Sequence, residues 1–120
     1  MALHVICLCA EWCGTCRDFR PAFTSVATQS AGDRFQWIDI ETHDALLDSL
    51  GVEIDSFPTV LIAGDDRLCF AGPVTPFADT LQRLCRAARA GTLAFGGESV
   101  WVELASRLAQ LPREGPDASC

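Results

Sequence analysis

Residues 4–16 read His4-Val5-Ile6-Cys7-Leu8-Cys9-Ala10-Glu11-Trp12-Cys13-Gly14-Thr15-Cys16, and the fold turns on how this stretch divides. His4 to Ala10 is short, apolar and rich in β-formers, and it stops at Glu11-Trp12, the pattern of a buried strand. Alternation puts Val5, Cys7 and Cys9 on one face and His4, Ile6, Leu8 and Ala10 on the other. A helix then begins near Cys13, because Phe19, Phe23, Val26 and Ala27 recur at helical spacing. Pro21 lies inside it and predicts a kink. Ser30 to Asp33 is the exit turn.

Working outward, Phe35 to Ile40 is a second strand, and two strands joined by one helix predict a parallel βαβ unit. Thr42 is placed to cap a short helix over His43 to Leu50, which Gly51 closes. Phe57-Pro58 leads into a third strand, Thr59 to Ala63. After a turn at Gly64-Asp65-Asp66, Arg67 to Ala71 returns antiparallel as a fourth strand, broken by Gly72-Pro73. Phe77 to Ala90 is helical, with Leu81, Leu84, Cys85 and Ala88 inward. Ser99 is placed to cap a last helix through Leu111, with a stripe of Val100, Trp101, Leu104, Leu108 and Leu111. Pro112 stops it, and residues 112–120 are expected to be a disordered tail. The expectation is an α/β domain over 1–111, with a core over 3–90 and a C-terminal helix at about 98–111.

Composition narrows the function classes. The chain has 120 residues, a net charge of −7, 49% hydrophobic and 21% charged residues, values of an ordinary globular domain. All nine basic residues are Arg and none cluster, so phosphate-backbone binding is not expected. The apolar N-terminal run has no basic residue before Arg17 and is too short to span a bilayer. A cytoplasmic protein that does not contact membranes is expected. Its seven Cys are then mostly reduced. Their odd number and scatter do not suggest a disulfide framework.

A strand, a turn and then CxxC at the start of a helix is an arrangement suited to dithiol chemistry. The helix N-terminus offers unpaired N–H groups and partial positive charge, both favouring a thiolate, the attacking species in disulfide exchange. Cys13 comes first and is the expected nucleophile. Cys16, one turn further in, is the expected resolving thiol.

The chain resembles the thioredoxin superfamily. The matching residues are Ala10-Glu11-Trp12-Cys13-Gly14-Thr15-Cys16, Pro21, Phe57-Pro58-Thr59 and Gly72, and the likeness covers roughly residues 3–90. The resemblance implies a minimal four-stranded thioredoxin-like sheet and a cis Phe57-Pro58 peptide facing the dithiol. It also implies a groove in which Trp12, Gly14, Thr15, Phe57 and Pro58 meet the substrate, with Phe57 backbone pairing to an extended segment.

Departures from the family qualify the role. Its first strand and helix are missing. The buried Asp that assists the resolving thiol falls on Cys7 and its Lys partner falls near Trp37, so any proton relay would need another group, such as Glu11 or Asp18. Thr15 replaces a Pro, and dithiols of this superfamily span potentials from about −270 to about −120 mV. A less reducing couple than thioredoxin's is expected. The added C-terminal helix is placed to cover a face left open by the missing elements.

The function these features imply is a thiol–disulfide oxidoreductase that reduces protein disulfides. It would need no bound cofactor or metal, would draw electrons from a separate thiol reductase and would act as a monomer. A binding module that holds a protein partner is the alternative; a metal or persulfide carrier is a third. Cys7 and Cys9 are assigned as small buried hydrophobes in preference to an auxiliary redox pair. Cys69, Cys85, Trp37 and Trp101 are assigned to the core, and Cys120 to the surface. His4 and His43 lie far in sequence from any Cys motif and are given strand and helix-start roles.

Overall fold

A computed structural model describes residues 2–10, 12–30, 32–64, 67–93, 95, 97 and 99–111. The Asp65-Asp66 turn, the stop at Pro112 and the tail with Cys120 lie outside the described residues. The elements run β1 (His4–Cys9), α1 (Gly14–Gln29), β2 (Arg34–Asp39), α2 (Asp44–Leu50), β3 (Thr59–Ala63), β4 (Leu68–Pro73), α3 (Ala78–Arg89) and α4 (Ser99–Ala109). They form a four-stranded sheet of order β2-β1-β3-β4. The β1–β2 pair is parallel, and β1–β3 and β3–β4 are antiparallel.

The alternation of β1 builds both cores. Val5, Cys7 and Cys9 face one layer with Phe19, Phe23 and Val26 of α1 and Leu81, Cys85 and Ala88 of α3. Ile6 and Leu8 face the other, with Leu47 of α2 and Leu104, Ala105 and Leu108 of α4. The C-terminal helix therefore packs on the face beside α2. Around α1, Phe23 sits 5.4 Å from both Phe35 and Trp37 in edge-on arrangements. Such ring pairs add about 0.5–1.5 kcal/mol each beyond area burial, and they hold the middle of α1 against β2.

Several boundaries differ from the sequence expectation. The strand β4 runs through Gly72 to Pro73 instead of breaking before them, with Gly72 opposite Val60 and Pro73 opposite Thr59. It is an edge strand, where a missing N–H does no harm. Thr42 is not the cap of α2. His43 takes that position without a side-chain cap bond. Gly51 does close the helix, in the left-handed region at φ 70°. There the Val52 N–H reaches Leu47 O at 3.0 Å and the Gly51 N–H reaches Asp48 O at 3.1 Å, a Schellman ending that a Cβ would strain. Helix α1 continues through Pro21 to Gln29. Ser99 is already the first residue of α4. No helix among the described residues is long and apolar enough to cross a membrane.

Candidate active site at the start of helix α1

The turn between β1 and α1 is closed by the Cys13 N–H, which donates to Ala10 O at 3.0 Å. This sets Cys13 at the N-cap of α1 in an extended conformation, with no side-chain cap bond. Gly14 and Thr15 are exposed in the first turn, and Cys13 is half-buried with a free thiol. The free N–H groups of a first helical turn point toward such a position.

The Phe57–Pro58 peptide is cis. Leu8 lies opposite Thr59 in the β1–β3 register, so one further step along it sets Pro58 beside Cys9. Pro58 O accepts from the Val74 N–H at 3.0 Å. Thr59 Oγ1 donates to Ser56 O at 2.6 Å. Phe57 is half-buried against the core layer that also receives Cys13. Trp12, 63% exposed, meets Phe57 edge-on with centroids 5.6 Å apart. The fold thus gathers Trp12, Cys13, Gly14, Thr15, Phe57 and Pro58 at the carboxyl end of β1. Of the two relay candidates, Asp18 is exposed and Glu11 lies outside the described residues.

Cys16 is where the structure departs from the sequence assignment. It is 1% exposed, and its sulfur is set against that of Cys9, near disulfide distance. The two Cα atoms are 5.8 Å apart, inside the range that a disulfide spans. Cys9 therefore lies within the cysteine cluster of the site, a place that its assignment as a small buried hydrophobe did not include. Its place at the end of β1, on the α1 face, brings it beneath the first turn of the helix. Cys7 keeps a free thiol in the core, with Sγ 3.4 Å from Cys9 Sγ. Either sulfur can donate in that contact. Burial pushes the Cys7 thiol far above its ordinary range, against an opposing pull from the Arg20 guanidinium.

A pocket of about 290 Å³ opens beside the pair, and its walls include Cys9, Cys16, Arg17, Arg20, Asp39 and His43. Sequence distance concealed His43: it reaches the site only because β2 and α2 return over the end of β1. Alternation had already put Cys9 on the correct face, and that was the available signal. Arg20 lies over the Trp37 ring at 5.1 Å, and Trp37 is opposite Cys7 in the β1–β2 register. Among the described residues, no group of three or more His, Cys, Asp or Glu is placed to hold a metal.

A mixed sheet with this strand order, a cis proline beside the end of the central strand and cysteines at the following helix start define a thioredoxin-like fold. The thioredoxin family model matches residues 1–79, and the chain belongs to that family. It is 34% identical over 64 residues to a Streptomyces coelicolor protein provisionally named thioredoxin 2, covering 53% of this chain and 46% of that one. It is 28% identical over 83 residues to thioredoxin domain-containing protein 8 of Rattus norvegicus, covering 69% of this chain and 60% of that one. The chain thus spans only about half the length of these relatives. Among solved structures, the crystal structure of ferredoxin:thioredoxin reductase with thioredoxin f2 contains a similar chain. There the TM-score is 0.62 at 20% identity, over 73% of this chain and 78% of that one. Family membership and neighbouring cysteines at disulfide distance assign the site to thiol–disulfide redox chemistry.

Proposed function

We infer that the chain, acting as one domain over residues 1–111, reduces protein disulfides through Cys13 and Cys16. In its dithiol form, Cys13 attacks one sulfur of a substrate disulfide, and the other substrate sulfur leaves as a thiol. Cys16 then attacks Cys13 Sγ, releasing the second substrate thiol and leaving a Cys13–Cys16 disulfide. An extended substrate segment lies along the backbone of Phe57, next to Pro58, with Trp12 at the lip. Electrons come from a separate thiol reductase, in keeping with the reductase that accompanies thioredoxin f2, and no bound cofactor or metal takes part. The chain works as a cytoplasmic monomer. The observation that supports this most is the half-buried free thiol of Cys13 at the helix N-cap.

The nearness of the Cys16 and Cys9 sulfurs favours a second reading, in which the two are joined. With its resolving thiol occupied, Cys13 would hold a partner instead of releasing it, and the chain would be a binding module. Insulin reduction with dithiothreitol as donor separates the two. Turnover in the wild type that is lost in Cys13→Ser supports the reductase; equal, negligible turnover in both sinks it.

A further inference from the structure

Two cysteine sulfurs, those of Cys16 and Cys7, approach Cys9 Sγ. Cys16 lies three residues beyond Cys13 in the first turn of α1, and its sulfur is set against Cys9 in the sheet beneath, with Cα atoms 5.8 Å apart. Cys9 and Cys16 are each only 1% exposed, while Cys13 is half-buried at the surface. Cys7, one pleat back on the same face of β1, has its Sγ 3.4 Å from Cys9 Sγ. Cys9 and Cys16 both line the pocket of about 290 Å³.

We propose that Cys9 is a third redox cysteine, and that Cys16 exchanges its disulfide partner between Cys13 at the surface and Cys9 in the sheet. The proposal rests on Cys13 and Cys16 being the reducing pair. The step is an internal thiol–disulfide exchange. Cys9, as the thiolate, attacks Cys16 Sγ; the Cys13–Cys16 bond breaks and the Cys9–Cys16 bond forms. Cys13 departs as a thiolate and takes up a proton in place of the one that Cys9 released. No electrons enter or leave, so no further oxidant or reductant is needed. The Cys7 S–H supports Cys9 as the thiolate, both when it attacks and when it leaves on the return step. The outcome is a parked state: the disulfide is hidden from solvent and Cys13 is again a free thiol with no resolving partner. Re-reduction must then wait for Cys13 to attack Cys16 and bring the disulfide back to the surface.

Proteolysis between Glu11 and Trp12 makes the two disulfides distinguishable. The full-length protein is oxidised with diamide, sampled from seconds to hours, quenched in acid, alkylated with N-ethylmaleimide and cleaved after Glu and Arg. The expected result is an early disulfide internal to peptide 12–17, replaced with time by peptide 1–11 linked to 12–17 through Cys9, with Cys13 alkylated. Cys13→Ser should form the linked pair directly, and Cys9→Ala should keep the internal form. A wild type that shows only the internal disulfide at every time, with Cys9 alkylated, overturns the proposal without depending on any variant folding. If insulin turnover fails but the linked pair forms, the reductase reading falls and the exchange stands. If turnover succeeds and no linked pair forms, the exchange alone falls.

Discussion

Trp12 and Phe57 meet edge to face across the mouth of the site, with ring centroids 5.6 Å apart. One residue precedes the dithiol and the other precedes the cis proline, so this contact joins the two loops that meet there. Trp12 nevertheless stays 63% exposed. A large aromatic left open beside a free thiol offers apolar area to an incoming chain.

Trp12→Ala is therefore expected to raise KM for a protein disulfide while changing kcat less. An aromatic contact of this kind is worth about 1 kcal/mol, or roughly fivefold. Steady-state insulin reduction over a range of insulin concentrations measures the split. A fall in kcat at unchanged KM would instead show that Trp12 acts on the cysteines.

Among the described cysteines, alkylation should discriminate sharply. Cys13 is half-buried with a free thiol, whereas Cys7, Cys69 and Cys85 are buried. Burial also raises the thiols of Cys7 and Cys85, and only the thiolate reacts. Iodoacetamide at pH 8 should label Cys13 in the folded protein and reach Cys7, Cys69 and Cys85 only in urea. Peptide mass mapping reads the order, and labelling of Cys85 before Cys13 would contradict it.

Cys85 also predicts an alkaline weakness. Burial pushes its thiol from about 9 up to about 11, so the folded state holds a proton that the unfolded state releases. That contribution is complete below pH 9 and declines as pH rises toward 11, by about 2 kcal/mol across the window. Urea midpoints should fall between pH 9 and pH 11, and fall less in Cys85→Ala. Parallel declines in the two proteins would rule the mechanism out.

At acid pH the responsible pair is Asp33 and Arg89. Arg89 Nη2 donates to Asp33 Oδ2 at 2.6 Å, and the Leu3 N–H donates to Oδ1 at 2.9 Å. The Arg89 hydrogen bond is the first cause of the lowered Asp33 carboxyl. A lowered carboxyl adds stability above its unfolded value, near pH 4, and loses it as pH falls through the folded one. Arg89 is 43% exposed, so the contribution is held to about 1 kcal/mol. Asp33→Asn keeps an acceptor for Leu3 but not the charge. Its urea midpoint should drop at pH 7 and approach the wild-type value near pH 2.

The fold was legible because period and face agree along its elements. Val5, Cys7 and Cys9 alternate with Ile6 and Leu8, and those two sets are the two cores. Third-strand limits at Thr59 and Ala63 follow from Pro58 on one side and Gly64 on the other. Strand β4 was misjudged because Gly72-Pro73 is a breaker only in a central strand, and edge position is a property of the assembled sheet. The cysteine pair at the start of α1 could be read from its spacing, but the nearness of Cys9 to Cys16 could not. Pairing depends on distances through the interior, and spacing favours Cys13 over Cys9 until α1 is laid upon β1. His43 was hidden for the same reason.

Helix α4 supplies the last prediction, since its end is held by the edge strand β2. Arg34 Nη1 donates to Ala109 O at 2.9 Å, and Gln36 Nε2 donates to Leu108 O at 3.0 Å. Leu108 O also accepts from the Leu111 N–H at 3.2 Å, and the Arg34 charge suits the negative end of the helix dipole. His4 Nε2 lies 2.7 Å from Gln36 Oε1. With the Gln36 amide donating to Leu108 O, its Oε1 accepts from His4, which fixes the imidazole proton on Nε2. Gln36→Leu should remove both contacts and leave Leu108 O with the Leu111 N–H as its remaining donor, at a cost of about 1 kcal/mol. Leu104→Ala, which opens a cavity in the layer under α4, should cost about 2–4 kcal/mol. Hydrogen exchange distinguishes the two changes. Gln36→Leu should speed exchange of α4 amides while those of α1 keep their protection, because local opening of one helix end needs no global unfolding. Leu104→Ala should lower the urea midpoint of the whole domain. Uniform acceleration across α1 and α4 in Gln36→Leu would mean that β2 and α4 unfold as one unit with the rest of the sheet.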